Sequence, residues 1–430
     1  MRRFGWALSF AIGLFGCSEP TVELAGCGDE CQEPSKPTDP TKPGKPADPG
    51  PKDMVCAPRI SFETTVFGQE DPIRDLRAFA PKVASGEVLF EAAGTISSNS
   101  PDDAEIVAYS PLTQAQRQLT RNDVDDELID ARDGAMLVLR TGEVAQLLYV
   151  DEDGEVVLEE QPSTWRPLLE EIRFDGSQAR YVERKRVAFE VDGEILFFDG
   201  IRARSVSSGL TNPSGPYLHG NLVTFSASDG HDSEVYLAGP DGTLRLSDDE
   251  TEDVRPVISW SDVFWISDGA LEAHYASGSS ETLHPGPCSP PVAYEQLVLS
   301  SCKNEAGEWE LTMFREKPKV LARLLQPPQV AALDAHGVAY LEYDEGEPCT
   351  GGGSGALRYL DFETGESAEL ARVGVPCLCC DAFWPPPALS LVEDVVAWNY
   401  AEPNESQGPF GSPARFGVAL VRRERVCAPK

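Results

Sequence analysis

Basic side chains are scarce in this sequence: 36 lysines and arginines stand against 71 aspartates and glutamates, a formal charge of −35. A surface so acidic repels phosphate backbones, which excludes nucleic acid as a partner. It repels anionic lipid as well, and it leaves divalent cations or cationic partners as the ones it would attract. Long apolar runs are also missing. The run from Phe4 to Phe15 is about a dozen residues, whereas a helix needs roughly 20 to cross a hydrocarbon core. The five histidines, His219, His231, His274, His284 and His336, are scattered, and none has the His-Glu-x-x-His spacing of a zinc helix. Gly-x-Ser-x-Gly is absent, so a nucleophile elbow has no candidate. No pair of carboxylates singles itself out for glycoside chemistry among 71 acids. A convincing amphipathic helical period is lacking throughout. These absences leave no catalytic residue, metal site or cofactor to expect.

What is present begins at Met1-Arg2-Arg3. A charged start, a short apolar core and a small residue before a cut site describe a secretory signal peptide. The stretch Leu14-Phe15-Gly16-Cys17 resembles the lipobox of bacterial lipoproteins, with Leu14, Gly16 and Cys17 matching and Phe15 in place of the usual small residue. The resemblance implies lipidation of Cys17: a thioether to diacylglycerol and a fatty acyl group, such as palmitate, on the freed amine. Each buried CH₂ contributes about 0.8 kcal/mol, so several chains on one residue anchor durably. The other reading is an ordinary cleaved signal with Cys17 as an unrelated thiol. Ser18 follows the cysteine rather than Asp, which points to the outer membrane or cell surface, facing the periplasm or the exterior.

Residues 1–16 thus form the signal and 17–55 the lipid attachment and tether. Within the tether Pro34, Pro37, Pro40, Pro43, Pro46 and Pro49 recur at every third position, the period of polyproline II. Such a spacer extends about 3.1 Å per residue, on the order of 60 Å between Glu33 and Lys52. Cys27 and Cys31 could close a small loop beside the lipid.

Residues 56–430 carry a repeat. An apolar strand leads to a hairpin with Asp, Gly or Pro at its turn, as in Leu147 to Leu158 around Asp151–Gly154, or Val235 to Leu246 around Pro240-Asp241-Gly242. Asp-Gly turns between alternating strands are strong hairpin signals. Units of four strands at intervals near 40 residues have the period of a β-propeller blade. The expected fold is therefore all-β: a propeller of four-stranded antiparallel blades, eight in number, or seven if 349–394 is an insertion. The eighth unit ends before its fourth strand, so an N-terminal strand, taken as Leu76–Ala80, is expected to close the ring on the C-terminal blade. The echo of Met54–Pro58 in Arg425–Pro429 agrees, and a Cys56–Cys427 disulfide would staple that closure.

Leu119-Thr120-Arg121-Asn122-Asp123, Leu246-Ser247-Asp248-Asp249 and Asp253-Val254-Arg255-Pro256 resemble elements of the TolB-like and WD40-like propellers of bacterial envelopes. That resemblance implies a scaffold or binding role. In the exported body thiols oxidise: Cys288 and Cys302 flank one strand-bearing segment and are expected to pair. Cys349 is expected to pair with one of Cys377, Cys379 and Cys380; a soft metal ion is the other reading of that cluster. The acidic turns 151–154 and 248–253 could bind calcium, but neither has the twelve-residue calcium-loop spacing, and solvated turns are the expected reading. The chain is expected to be a monomeric, non-enzymatic, lipid-anchored binding or scaffold module of the cell envelope, meeting an envelope protein or glycan. The alternative is a propeller lyase or hydrolase with its site at the channel mouth.

Overall fold

The computed structural model describes residues 54–69, 81–93, 104–160, 181–183, 185–315, 317–328, 331–343, 353–375, 389–392, 395–402 and 415–429. One compact unit runs from Val55 to Pro429. The other, Met1–Met54 with Lys430, lies outside the described residues except for Met54.

Among the described residues there is no helix, and the strands form eight four-stranded sheets. Seven sheets use consecutive strands, spanning 82–118, 125–160, 182–205, 211–245, 253–284, 292–324 and 331–375. They are blades 1 to 7 here. Blade 8 is composite: Leu389–Val392, Val395–Glu402 and Arg415–Pro429 come from the C-terminal end, and Met54–Gln69 adds the outermost strand beside Arg415–Pro429. The expected closure by an N-terminal strand is therefore present, but a different segment makes it. Leu76–Ala80 lies outside the described residues, and Met54–Gln69 fills the fourth position instead.

The turns follow from residue chemistry. Asp133-Gly134 and Asp192-Gly193 have positive φ at both residues, 51° and 81° in the first and 50° and 78° in the second. Asp tolerates this left-handed region and glycine adopts it freely, so the tight turn matches the twist of the strands it joins. Burial within a blade is graded. In blade 2 the second strand, Ala135–Thr141, is mostly buried, whereas the fourth, Gly154–Glu160, is mostly exposed.

The core is a chain of packed interfaces between blades. Leu128 and Val138 of blade 2 meet Leu89 and Ile106 of blade 1, and Tyr149 of blade 2 meets Phe189 of blade 3. Phe197 packs with Phe225 between blades 3 and 4, and one cluster joins blades 4, 5 and 6 through Tyr217, Phe264 and Val298. Leu299 meets Tyr340 across blades 6 and 7, and Leu357 meets Trp398 across blades 7 and 8. Val395 and Ala397 of blade 8 then pack on Val88 and Phe90 of blade 1, which closes the ring. The backbone agrees, since Val83 N donates to Ser390 Oγ at 2.9 Å. Burying one such large side chain contributes about 1.5–3 kcal/mol, and it is the neighbour blade that buries it.

Candidate functional site

Each blade repeats one strand order, so its connections fall on two faces. The turns joining first to second and third to fourth strands share one face. The second-to-third turns and the loops leading to the next blade share the other.

On the first face the inner strands end at equivalent positions: Arg132 in blade 2, Glu183 in blade 3, His219 in blade 4, Ser259 in blade 5 and Tyr294 in blade 6. The Arg132 guanidinium lies 5.4 Å from the centre of the Tyr294 ring. Blades 2 and 6 are four apart in the ring, so this contact spans the central channel with two side chains. Tyr217 Oη also reaches past blade 5 to donate to Ala293 O of blade 6 at 2.9 Å. Glu183 Oε2 accepts Gly220 N–H at 2.7 Å and stands 3.7 Å from His219 Nδ1. Turns of this face expose large apolar side chains: Leu112, 73% exposed, and Ile201, 89%, on the outer turns of blades 1 and 3, and Trp260, 56%, on the inner turn of blade 5.

The second face carries the acidic residues of two related junctions. Between blades 1 and 2, Thr120 Oγ1 accepts Ile106 N–H at 2.9 Å and Glu105 Oε1 accepts Asn122 N–H at 2.8 Å. Asp126, fully buried, accepts from Asn122 Nδ2 at 2.7 Å and from Arg140 Nε at 2.8 Å. Arg140 also grips Glu155 at 2.9 Å, and that bond holds the Glu155 carboxyl below its usual range.

Between blades 4 and 5 the same frame returns. Ser247 Oγ accepts Val235 N–H at 2.9 Å and Glu234 Oε1 accepts Asp249 N–H at 3.3 Å. Asp253 pairs in register with Ser267, as Asp126 pairs with Arg140. Both donors have thus been exchanged: Asp249 stands where Asn122 was, and Ser267 where Arg140 was. Asp253 is fully buried, and neither of its oxygens makes a well-formed hydrogen bond. Burial pushes its carboxyl up to about 6; the Ser247 and Ser267 hydroxyls oppose this, and the Asp249 and Glu234 charges add to it. Asp232 is also buried with neither oxygen bonded, and burial followed by the Glu234 and Asp229 charges raises it too. Arg245 supplies the cation here, pairing with Glu234, with Asp229 at 2.9 Å and with Asp248 at 2.8 Å. One oxygen each of Asp229, Glu234 and Asp248 lie within 4.8 Å of one another.

The other acidic turn is engaged differently. Asp151 accepts from Tyr149 Oη and Asp153 N, both at 2.8 Å, and Asp153 pairs with Lys185 of the next blade. A solvated turn describes this segment, and it describes Asp248, but not Asp253. Glu234 escaped sequence reading because a single acid at a strand start is unremarkable. The repeat itself holds the signal: Glu105-Ile106-Val107 and Glu234-Val235-Tyr236 occupy one position in two blades.

Cys288 and Cys302 form the expected disulfide, with an S–S distance of 2.09 Å. His284 Nδ1 lies 3.6 Å from Cys288 Sγ, but with the sulfurs bonded to each other the trio is not a thiolate donor set. Cys56 and Cys427 fall on the neighbouring strands Met54–Gln69 and Arg415–Pro429, and their side chains lie outside the described residues. Cys17, Cys27, Cys31, Cys349, Cys377, Cys379 and Cys380 lie outside them as well. His231, His274 and His336 are placed apart on separate blades and turns.

This architecture is that of a β-propeller. No family model matches the sequence, and no curated protein matches it. Among solved structures, the computationally designed Ika8 protein shares 14% identity over 80% of this chain and 96% of its own, with a TM-score of 0.49. BamB from Moraxella catarrhalis shares 11% over 86% of this chain and 100% of its own, with a TM-score of 0.42. A prolyl endopeptidase shares 10% at a TM-score of 0.47, and this chain spans 54% of that longer chain. Likeness this remote concerns the fold alone.

Proposed function

We propose that this chain is an exported, lipid-anchored binding module of the bacterial cell envelope, without enzymatic activity of its own. Cys17 carries the lipid, the proline-rich segment holds the ring away from the membrane, and the ring presents its turns to a partner. The observation that carries this reading is the face bearing Leu112, Ile201 and Trp260, large apolar side chains kept in water on the turns of an otherwise acidic protein. An aromatic such as Trp260 suits either a protein partner or the face of a sugar ring.

The competing reading, a lyase or hydrolase worked from the channel mouth, draws on Arg132, Glu183 and His219 standing at one end of three successive blades. Against it, Arg132 already stacks on Tyr294 and Glu183 already accepts the Gly220 N–H. The test is capture of partners from detergent-solubilised envelope by the wild-type chain and by Trp260→Ala. A protein or glycan retained by the wild type and lost with Trp260→Ala supports the binding module. Equal recovery by both chains would overturn it. In parallel, Cys17→Ala is expected to abolish fatty-acid labelling and release the protein from membranes.

A further inference from the structure

The junction between blades 4 and 5 holds more negative charge than its protein partners satisfy. Glu234 is fully buried; its Oε1 is held by Arg245 and the Asp249 amide, but its Oε2 has no hydrogen-bond partner. Asp232, also buried, has neither oxygen bonded. Asp229 and Asp248 approach the same spot from the turn before and the loop after, with one oxygen of each within 4.8 Å of Glu234. A calcium ion holds its oxygens at about 2.3–2.6 Å, so three oxygens this close together are within reach of one ion placed where the Arg245 guanidinium now meets them.

We propose that Asp229, Glu234 and Asp248 bind a hard divalent cation of the calcium class, in competition with the Arg245 guanidinium. The ring sets this site on the face opposite Trp260, so it is a separate function from partner binding. The ligands are hard oxygens, which excludes soft ions. They come from two loops and a strand start, an irregular set that calcium's flexible coordination accepts and magnesium's strict octahedron does not. Three carboxylates leave the remaining positions to water. Arg245 is the occupant in the cation-free protein: its guanidinium contacts all three carboxylates and donates from Nε to Ser247 O at 2.7 Å, while its side chain remains partly exposed. Binding therefore exchanges one monovalent charge fixed to the chain for a divalent one from solution. With only three charged ligands the expected Kd is about 10⁻⁴–10⁻³ M, the range of exported calcium modules.

The experiment uses the purified full chain in chelated buffer, titrated with calcium chloride and with magnesium chloride by calorimetry and thermal unfolding. Calcium is expected to bind with one ion per chain and to raise Tm by about 1–3 °C at about 10 mM, the rise growing with the logarithm of its concentration. Magnesium is expected to bind at least ten times more weakly. Asp248 is exposed, so Asp248→Asn folds normally and is expected to weaken calcium binding tenfold or more; Asp151→Asn, in the other acidic turn, is expected to leave it unchanged. Arg245→Gln separates competition from mere structural pairing. Removing the competitor is expected to tighten calcium binding, and calcium is expected to restore the stability lost in that variant. No calcium heat and no Tm shift up to about 10 mM, well above that range, would overturn the proposal. A shift of equal size in Asp248→Asn would overturn it too.

Discussion

The two acidic junctions of the second face share a backbone and differ in who neutralises it. At blades 1 and 2 the buried Asp126 receives Asn122 from the loop before it and Arg140 from the neighbouring strand of its own blade. At blades 4 and 5 the corresponding donors are Asp249 and Ser267, and the cation, Arg245, comes from the fourth strand of blade 4 itself. Arg140 therefore answers the buried Asp126 and the exposed Glu155 within blade 2, whereas Arg245 braces the carboxylates of blade 4 and its following loop and leaves Asp253 and Asp232 unanswered. The first junction serves stability, and the second carries unspent negative charge. A repeat thus reuses one hydrogen-bonded frame, Thr120 or Ser247 with Glu105 or Glu234, and varies the charges set in it.

The largest effect expected is at Arg140. Arg140→Gln leaves the fully buried Asp126 without its cation and should cost about 3–5 kcal/mol in chemical unfolding. A loss under about 1 kcal/mol would mean that Arg140 is not the counter-charge that the buried Asp126 depends on.

The second effect has the opposite sign. The Asp253 carboxyl lies at about 6 in the folded protein, above its ordinary range near 4, so folding disfavours its ionised form. The resulting destabilisation is absent below about pH 4, grows between about 4 and 6, and is complete above that. In chelated buffer Asp253→Asn should stabilise the protein at pH 7.5 by up to about 3 kcal/mol and should make no difference at pH 4. Equal stability of the two chains at both pH values would contradict the assignment. The matching Asp126→Asn should destabilise at neutral pH, since Asp126 has the donors that Asp253 lacks.

The shared frame is expected to behave alike in both places. Thr120→Val and Ser247→Ala each leave a buried N–H, of Ile106 or Val235, without an acceptor, and each should cost about 1–3 kcal/mol. Unequal costs would break the equivalence of the junctions. The smallest effect is at Glu155, an exposed partner of Arg140, where Glu155→Gln should cost under about 1 kcal/mol and less at high salt.

Much of the ring is legible in the sequence because its cause is local. Asp-Gly turns set hairpins, as at Asp133-Gly134 and Asp192-Gly193, and apolar strands recur at a blade's spacing. The Cys288–Cys302 pairing follows from the strand between them. The closing strand differs from the expected one: Leu76–Ala80 has the apolar pattern of strands in other units, whereas Met54–Gln69 mixes Pro, Arg, Glu and Thr. An outermost strand is solvent-facing and needs no apolar pattern; its choice is made by backbone pairing with Arg415–Pro429, to which composition is blind. The channel-mouth set and the cation site were hidden for another reason. Arg132 meets Tyr294, and Asp229 meets Asp248, only after the chain has folded.

The two faces of the ring give the most direct test of its proposed role. A photo-crosslinking residue is placed at Trp260 on one face, and in a second chain at Val144 on the other, 40% exposed in a second-to-third turn. After illumination of intact cells, the chain labelled at 260 should yield a discrete adduct and the chain labelled at 144 should not. No adduct from 260, or the same adducts from both positions, would contradict a recognition surface on the apolar face.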